Sequence, residues 1–321
     1  MTLLTAVVLT YNEEPNIGHC LASVAGWLPV IVLDSGSTDR TLEICAAHRV
    51  EVATHPYESH SAQWAWALEN LPIRTPWVLA LDADFVVDAD LRRQIEHELA
   101  HVPDDVDGIY VRHRYVFGGG PIRFGGTKQH WLRLIRRGHA RPDASDLVDF
   151  RFNVDRRTLC WRGSVTEYNR HDDDISTWLR KQDKFSLRLA VEEELRARGL
   201  LRWQGKPRLA GHPDQRFMWL RDVWGRLPLF IRPVIYFAYR YILALGFADG
   251  RAGFLYHVLQ GFWMRLVVDW KRWQLRSANL CDPDLERVRD AMFATRDGSV
   301  ASVLMRAGIA RRGSSLPWHD D

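Results

Sequence analysis

Along the first hundred residues, apolar runs of strand length alternate with stretches of helical period. Leu3 to Thr10 is an apolar, β-branched run that reads as a first strand. Tyr11-Asn12-Glu13-Glu14-Pro15-Asn16 breaks it, and Pro15 suits the opening turn of a helix from about Ile17 to Gly26. Val30 to Leu33 predicts a second strand, which ends in Asp34-Ser35-Gly36-Ser37-Thr38-Asp39 before a helix through Leu42, Ile44 and Cys45. Val50 to Thr54 predicts a third, followed by a helix with Trp64, Ala67, Leu68 and Leu71 at helical spacing. Trp77 to Leu81 is uninterrupted and apolar, which suits a central strand buried on both faces. Asp88 is positioned to cap a helix from Ala89 to His101. Four β-then-α units in succession predict right-handed crossovers. The fold class expected is α/β, an open, doubly wound, mostly parallel sheet with helices on both faces.

Beyond Asp107 the rhythm changes. Gly108 to Phe117 and His130 to Arg137 are strand-like, and the glycine-rich loop joining them, 118–127, is of a kind that often folds over a ligand. Leu147 to Val154 and Thr158 to Val165 predict two more strands, followed by a polar segment and a long helix from about Ile175 to Arg198. Three regions follow: 1–198 as the sheet domain, 199–276 as an aromatic and basic helical region, and 277–321 as a polar tail with one helix.

Between Arg226 and Arg276, twelve aromatic residues sit among Arg226, Arg232, Arg240, Arg251, Arg265, Lys271, Arg272 and Arg276, opposed only by Asp249 and Asp269. No window reaches the roughly eighteen uncharged residues of a spanning helix. The composition instead predicts helices lying in the interface of an anionic membrane, with rings at headgroup level and arginines on phosphates. The alternative is a helical subdomain packed on the sheet domain. The region is too apolar for a groove that tracks nucleic acid.

Lysine plus arginine exceed aspartate plus glutamate by only 43 − 40 = 3, so net charge points to no polyanionic partner. Four dispersed cysteines without a C-x-x-C pair suggest reduced thiols. The opening MTLLTAVVLT lacks a basic n-region and reads as a strand, not a signal peptide. A cytoplasmic protein, peripheral on the inner face of the cell membrane, is expected.

The chemistry gathers where the fourth strand ends. Asp82 and Asp84, separated by Ala83, offer hard oxygen ligands to Mn²⁺ or Mg²⁺, and a metal held by few protein ligands can share the rest with a diphosphate. The carboxyl ends of parallel strands are where such sheets bind ligands. Two rival motifs are weaker. His97-Glu98-Leu99-Ala100-His101 matches H-E-x-x-H, but both histidines fall on the helix face away from Ile95 and Leu99. Neither a dinucleotide fingerprint nor a Walker loop is present. A sugar nucleotidyltransferase and a membrane-docked nucleotide-binding protein without turnover remain as alternatives.

Taken together, Thr10-Tyr11-Asn12-Glu13, Asp34 to Asp39 and Asp82-Ala83-Asp84, in that order and spacing, resemble family 2 glycosyltransferases of the GT-A fold. The later region resembles bacterial members that build lipopolysaccharide core or exopolysaccharide, through Trp178 to Ser186, Arg232-Pro233 and Gly246 to Gly250. The resemblance implies a nucleotide-diphosphate sugar donor and a glycan or lipid-linked acceptor, with no nucleic acid. It implies that Thr10, Glu13 and Asp34 hold the nucleoside, with Tyr11, Ser35, Gly36, Gln63 and Ala83 lining the same site. Asp84 and Asp82 would bind the metal and diphosphate. An inverting transfer also needs a carboxylate base. Glu167 is the first choice, with Asp149 and Asp146 as alternatives. Phe85, Ala65 and Thr166 depart from residues common in the family, and the Q-x-x-R-W pattern of processive synthases is absent.

Overall fold

The computed structural model describes residues 2–126, 129–295 and 297–310. The first strands form where the apolar runs predict them: β1 (Leu4–Thr10), β2 (Val30–Asp34), β3 (Glu51–Thr54) and β4 (Trp77–Asp82), followed by a short β5 (Phe85–Val87). Helices α1 (Ile17–Val24), α2 (Thr41–Ala47), α3 (His60–Asn70) and α4 (Ala89–Glu98) alternate with them. The sheet then continues through β6 (Val106–Phe117), β7 (Gly120–Ile122) and β8 (Gln129–Arg136). Next come β9 (Ala140–Pro142), β10 (Phe152–Val154) and β11 (Arg157–Glu167).

The main sheet has nine strands in the order β3-β2-β1-β4-β8-β6-β11-β5, with β7 pairing β6. Strands β3, β2, β1 and β4 are mutually parallel, and β6 and β11 are parallel to each other. Only β8 runs between those two groups, antiparallel to both β4 and β6. Its insertion turns β6 and β11 to point the same way as β4. The carboxyl ends of β1, β2, β4 and β11 therefore share one edge, the expected ligand edge of a doubly wound sheet.

Both faces are covered, and β1 is buried at every position. Leu4, Ala6 and Val8 pack with Ile17 and Leu21 of α1 and Leu91 of α4, while Val7 and Leu9 pack with Trp64 and Ala67 of α3. Such alternation to two buried faces is what a continuous apolar strand encodes.

Three local expectations are corrected. Only Phe152–Val154 of the predicted strand 147–154 is extended, pairing β9 in a separate two-stranded sheet, because Leu147 and Val148 turn away to pack on the C-terminal helices. Asp88 does not cap α4 with its side chain; its carboxylate accepts hydrogen bonds from Ser164 Oγ and Thr166 Oγ1 of β11, each at 2.8 Å. The glycine-rich loop, of which Thr127 lies outside the described residues, contains β7 and docks on the C-terminal helices. Asp249 there accepts from the backbone N–H groups of Arg123 and Phe124, both at 2.9 Å, and Arg240 Nε donates to the Gly125 carbonyl at 2.7 Å.

The C-terminal part comprises α5 (Ile175–Ala197), α6 (Pro213–Arg226), α7 (Arg232–Ala238), α8 (Gly250–Tyr256), α9 (Met264–Ser277), α10 (Asp282–Met292) and α11 (Val300–Arg306). π-helical turns prolong α7 and α8. A third core joins Leu187, Val191 and Leu195 of α5 to Met264, Val268 and Leu275 of α9 and to Leu285, Val288 and Val303 of α10 and α11. Residues 277–310 thus hold two packed helices; 311–321 lie outside the described residues.

The basic character of this part is mostly internal. Arg232 is ion-paired with Asp269 and with Glu193 at 2.7 Å, Arg272 with Glu193 at 2.9 Å, Lys271 with Asp183 at 2.5 Å, and Arg276 with Glu194 at 3.0 Å. Arg240 is buried against Tyr236 and Gly125, and Arg265 is half-buried. Of the eight cations only Arg226 and Arg251 are exposed without such an ion pair among the described residues. Sequence counting missed this because the partners Asp183, Glu193 and Glu194 come from α5, outside the basic stretch. The outer surface is instead apolar: Ile231, Val234, Ile235, Tyr239, Ile242, Leu243, Leu245 and Phe247 are all exposed.

Candidate active site

Three loops meet at the shared edge, and short polar side chains tie the first two together. Asp34 ends β2, is buried, and accepts hydrogen bonds from the backbone of Gly36 (2.8 Å) and Ser37 (2.9 Å) and from Ser37 Oγ (2.5 Å). Gly36, at φ +93°, allows the chain to curl back over that carboxylate. The first loop crosses to the second through Asn12, whose Oδ1 accepts from the Thr38 N–H at 2.7 Å, and through the Glu13 N–H, which donates to Thr41 Oγ1 at 2.8 Å. Thr10 lies in register with Asp34, with its hydroxyl buried and, among the described residues, without a hydrogen-bond partner. Tyr11 is exposed.

Gln63 turns out to serve the scaffold. It is buried, donates to Ser35 Oγ at 2.8 Å and to the His55 carbonyl at 2.9 Å, and meets His55 Nδ1 at 2.7 Å. Its amide therefore holds the Asp34 loop from behind.

The two aspartates of the D-x-D stretch face different neighbours. Asp82 ends β4, and its Oδ1 lies 3.0 Å from His60 Nε2 at the start of α3. Burial works to raise its pKa, but His60, with Arg133 and His113 behind it, holds the carboxyl below the usual range. Ala83 is buried and donates its N–H to the Leu9 carbonyl at 3.1 Å, anchoring the turn. Asp84 faces Glu13, Glu167 and Asp172, with the ammonium of Lys181, on α5, among them. Burial pushes Asp84 up to about 6, with Lys181 opposing and Asp82 reinforcing. Burial and then the Asp84 charge push Glu13 up to about 8. Lys181 lies 3.7 Å from Asp172 and is the balancing charge of this cluster.

Of the three proposed bases, Glu167 stands in the cluster, at the end of β11 and level with Phe85 of β5. Burial and then Asp84 hold its carboxyl well above the usual range. Its Oε2 is 3.3 Å from Nε2 of the buried His113 on β6. Asp149 is half-buried at the margin, close enough to feel His60 and Arg133. Asp146 is engaged elsewhere: it accepts from the Asp149 N–H at 3.0 Å and pairs with Arg151 at 3.1 Å, so it supports a turn. The segment after β11 closes the site's flank, where Asn16 Nδ2 donates to Glu13 at 2.6 Å and to Asn169 at 3.2 Å.

His60, His113, Arg133 and Lys181 escaped the sequence reading. His60, His113 and Lys181 meet carboxylates and Arg133 acts on them at longer range, each from a separate element, so no local spacing announces them.

Among the described residues no three His, Cys, Asp or Glu side chains converge as a self-sufficient metal cage. Asp84 with Asp82 nonetheless offers hard oxygens in a patch of excess negative charge, which fits a divalent ion that completes its shell on a diphosphate. A cavity of about 510 Å³ lined by Ala25, Leu28, Arg49 and Arg74 is at the amino ends of the strands, away from these carboxylates.

Residues 5–165 match the model of glycosyl transferase family 2. The chain is 31% identical over 150 residues to the lipopolysaccharide core biosynthesis glycosyltransferase LpsC of Rhizobium meliloti, covering 45% of this chain and 55% of that one. It is also 31% identical over 135 residues to an uncharacterized glycosyltransferase of Mycobacterium tuberculosis, covering 42% and 55%. The chain thus spans about half the length of these curated relatives. Among solved structures it is similar to glucosyl-3-phosphoglycerate synthase from Mycobacterium tuberculosis in complex with Mg²⁺ and uridine diphosphate. That match has a TM-score of 0.31 and 19% identity, over 35% of this chain and 44% of that one. The match to the family model covers half of the chain and includes all three loops: the chain belongs to glycosyl transferase family 2.

Proposed function

We propose that this glycosyltransferase moves a sugar, with inversion, from a nucleotide-diphosphate sugar to a lipid-linked or lipopolysaccharide acceptor at a membrane surface. The observation that carries the reading is the convergence of Asp34, Glu13, Asp82, Asp84 and Glu167 on one edge of the sheet. Thr10, Glu13 and Asp34 would receive the nucleoside. Asp84, with Asp82 beside it, would hold Mn²⁺ or Mg²⁺, which when bound supplies positive charge against the leaving diphosphate. Glu167 takes the proton of the acceptor hydroxyl as its oxygen bonds to the anomeric carbon and the bond from that carbon to the diphosphate breaks. A carboxyl raised above its usual range is a stronger base once ionised. Kinship with a lipopolysaccharide core enzyme supports a lipid-borne glycan as acceptor.

No helix among the described residues is long and apolar enough to cross a membrane. We assign membrane contact to the apolar face of α7 and its π-helical continuation. With most cations turned inward, insertion of that face, more than arginine–phosphate attraction, supplies the binding.

Thermal melting with UDP, GDP, CDP and dTDP, each with and without Mn²⁺, tests the donor site, because a ligand of the folded state raises the melting temperature. One nucleotide giving a metal-dependent rise is the expected result. No rise with any of them would remove the donor reading.

A further inference from the structure

Beneath the carboxylates lie two buried side chains that the transfer chemistry above does not use. Arg133 is the extra residue of a β-bulge: β8 pairs Leu134 with Ile109 and Leu132 with Tyr110, leaving Arg133 unpaired between them. Bulges of this kind re-aim a side chain. The guanidinium stacks over Phe150 at 4.4 Å and over Phe85 and Trp131 at 4.8 Å each. His113 shares two of those walls, with ring centres 5.2 Å from Phe85 and 4.9 Å from Trp131. Arg133 is 1% exposed and His113 2%. Among the described residues, Nε and Nη2 of Arg133 and Nδ1 of His113 have no hydrogen-bond partner, and His113 Nε2 has Glu167 Oε2 3.3 Å away.

An arginine is always charged, and a buried charge without a partner is costly. Among the described residues no carboxylate approaches Arg133 within ion-pairing distance. Its nearest acidic neighbours, Asp82, Asp149 and Glu167, are felt only at longer range. Asp82 is already paired with His60. A water or a neutral sugar hydroxyl would satisfy the orphan donors but leave the charge unmatched; a carboxylate or phosphate does both. A cavity of about 480 Å³ touches His113 and is lined by Arg112, Arg114, Arg123, Tyr115 and Thr166, so the neighbourhood of the strand that carries His113 is basic. Arg114 is partly neutralised by Asp88 and Asp90, at 3.4 and 3.2 Å.

We propose that Arg133 and His113 form an acid-recognising element, and that the sugar or glycan handled at this site carries a carboxylate or phosphate group that docks on them. The proposal rests on reading the site as a glycosyl-transfer site. The acidic group belongs either to the transferred sugar or to the acceptor.

The test is calorimetric binding to the full chain in two arms. One compares UDP-glucuronate with UDP-glucose, the other glucose 6-phosphate with glucose, using wild type, Arg133→Gln, Arg133→Lys and His113→Gln. In at least one arm the acidic compound is expected to bind wild type about ten- to a hundredfold more tightly than its neutral counterpart. That ratio should fall towards one in Arg133→Gln and recover in part in Arg133→Lys, with UDP affinity retained as the sign of an intact fold. The arm that shows the preference tells which substrate bears the acid. Equal binding within both arms, or no binding of either acidic compound, overturns the proposal. UDP alone reports separately on the donor site: loss of UDP binding with a surviving preference for glucose 6-phosphate would sink the donor reading and keep this one.

Discussion

Single side chains at this site work against one another, and that opposition is measurable. Glu13 is pushed up to about 8 from 4.5 and Asp84 to about 6 from 3.8, both first by burial. A carboxyl whose folded pKa lies above its unfolded value binds its proton more tightly when folded. Its contribution to stability is complete below the unfolded value and is lost as pH rises through the folded one. The melting temperature of the ligand-free enzyme should therefore decline between about pH 4.5 and pH 8 through these two groups. Asp84→Asn is expected to abolish transfer yet raise the ligand-free melting temperature at pH 8 by on the order of a few degrees. A melt-versus-pH series for wild type, Asp84→Asn and Glu13→Gln checks this, and identical slopes would clear the carboxylates of responsibility. The anchors of the site were legible in the sequence because Asp34, Asp82 and Asp84 directly follow apolar runs that fix their place at strand ends. The neighbours that hold Gln63 and Asp146, namely Ser35, His55 and Arg151, were not legible because they are chosen by packing.

Among elements, the first strands and the long helix α5, expected over 175–198 and found at Ile175–Ala197, declared themselves. Continuous apolar runs such as Trp77–Leu81 can only be buried twice, so β1, β2 and β4 were readable. The run 147–154 mixes apolar and polar residues in a way that suits a strand, but Leu147 and Val148 found the third core first. The glycine-rich loop makes a sharper case. Gly125 has φ +77°, and a β-carbon there would meet the His257 ring at 2.1 Å, whereas Gly119 has φ +75° with nothing within 4 Å. Gly119→Ala should cost only the backbone strain, about 1 kcal/mol. Gly125→Ala adds the collision and should cost about 2 kcal/mol or more. Urea unfolding of the two variants decides it; equal losses would mean the loop's docking on α8 contributes little.

For the whole molecule, the decisive arrangement is a sheet with its chemistry on one edge and an apolar helical face beyond the docked loop. Ile235→Asp combined with Ile242→Asp should abolish flotation with liposomes of either neutral or anionic lipid, while nucleotide-induced stabilisation stays as in wild type. Flotation that depends on lipid charge and survives the double variant would return the membrane role to Arg226 and Arg251. One element connects the two ends. Helix α5, 23 residues and so ~35 Å long, carries Lys181 among the clustered carboxylates at one end. At the other it carries Glu193 and Glu194, which hold Arg232 and Arg272. The segment shared with the family stops at residue 165, before Lys181 is reached. The unit of kinship is therefore shorter than the unit of chemistry. A chimera that grafts a relative's matched segment onto this chain would take Glu13 and Asp84 from one parent and Glu167, Asp172 and the lysine that balances all four from the other.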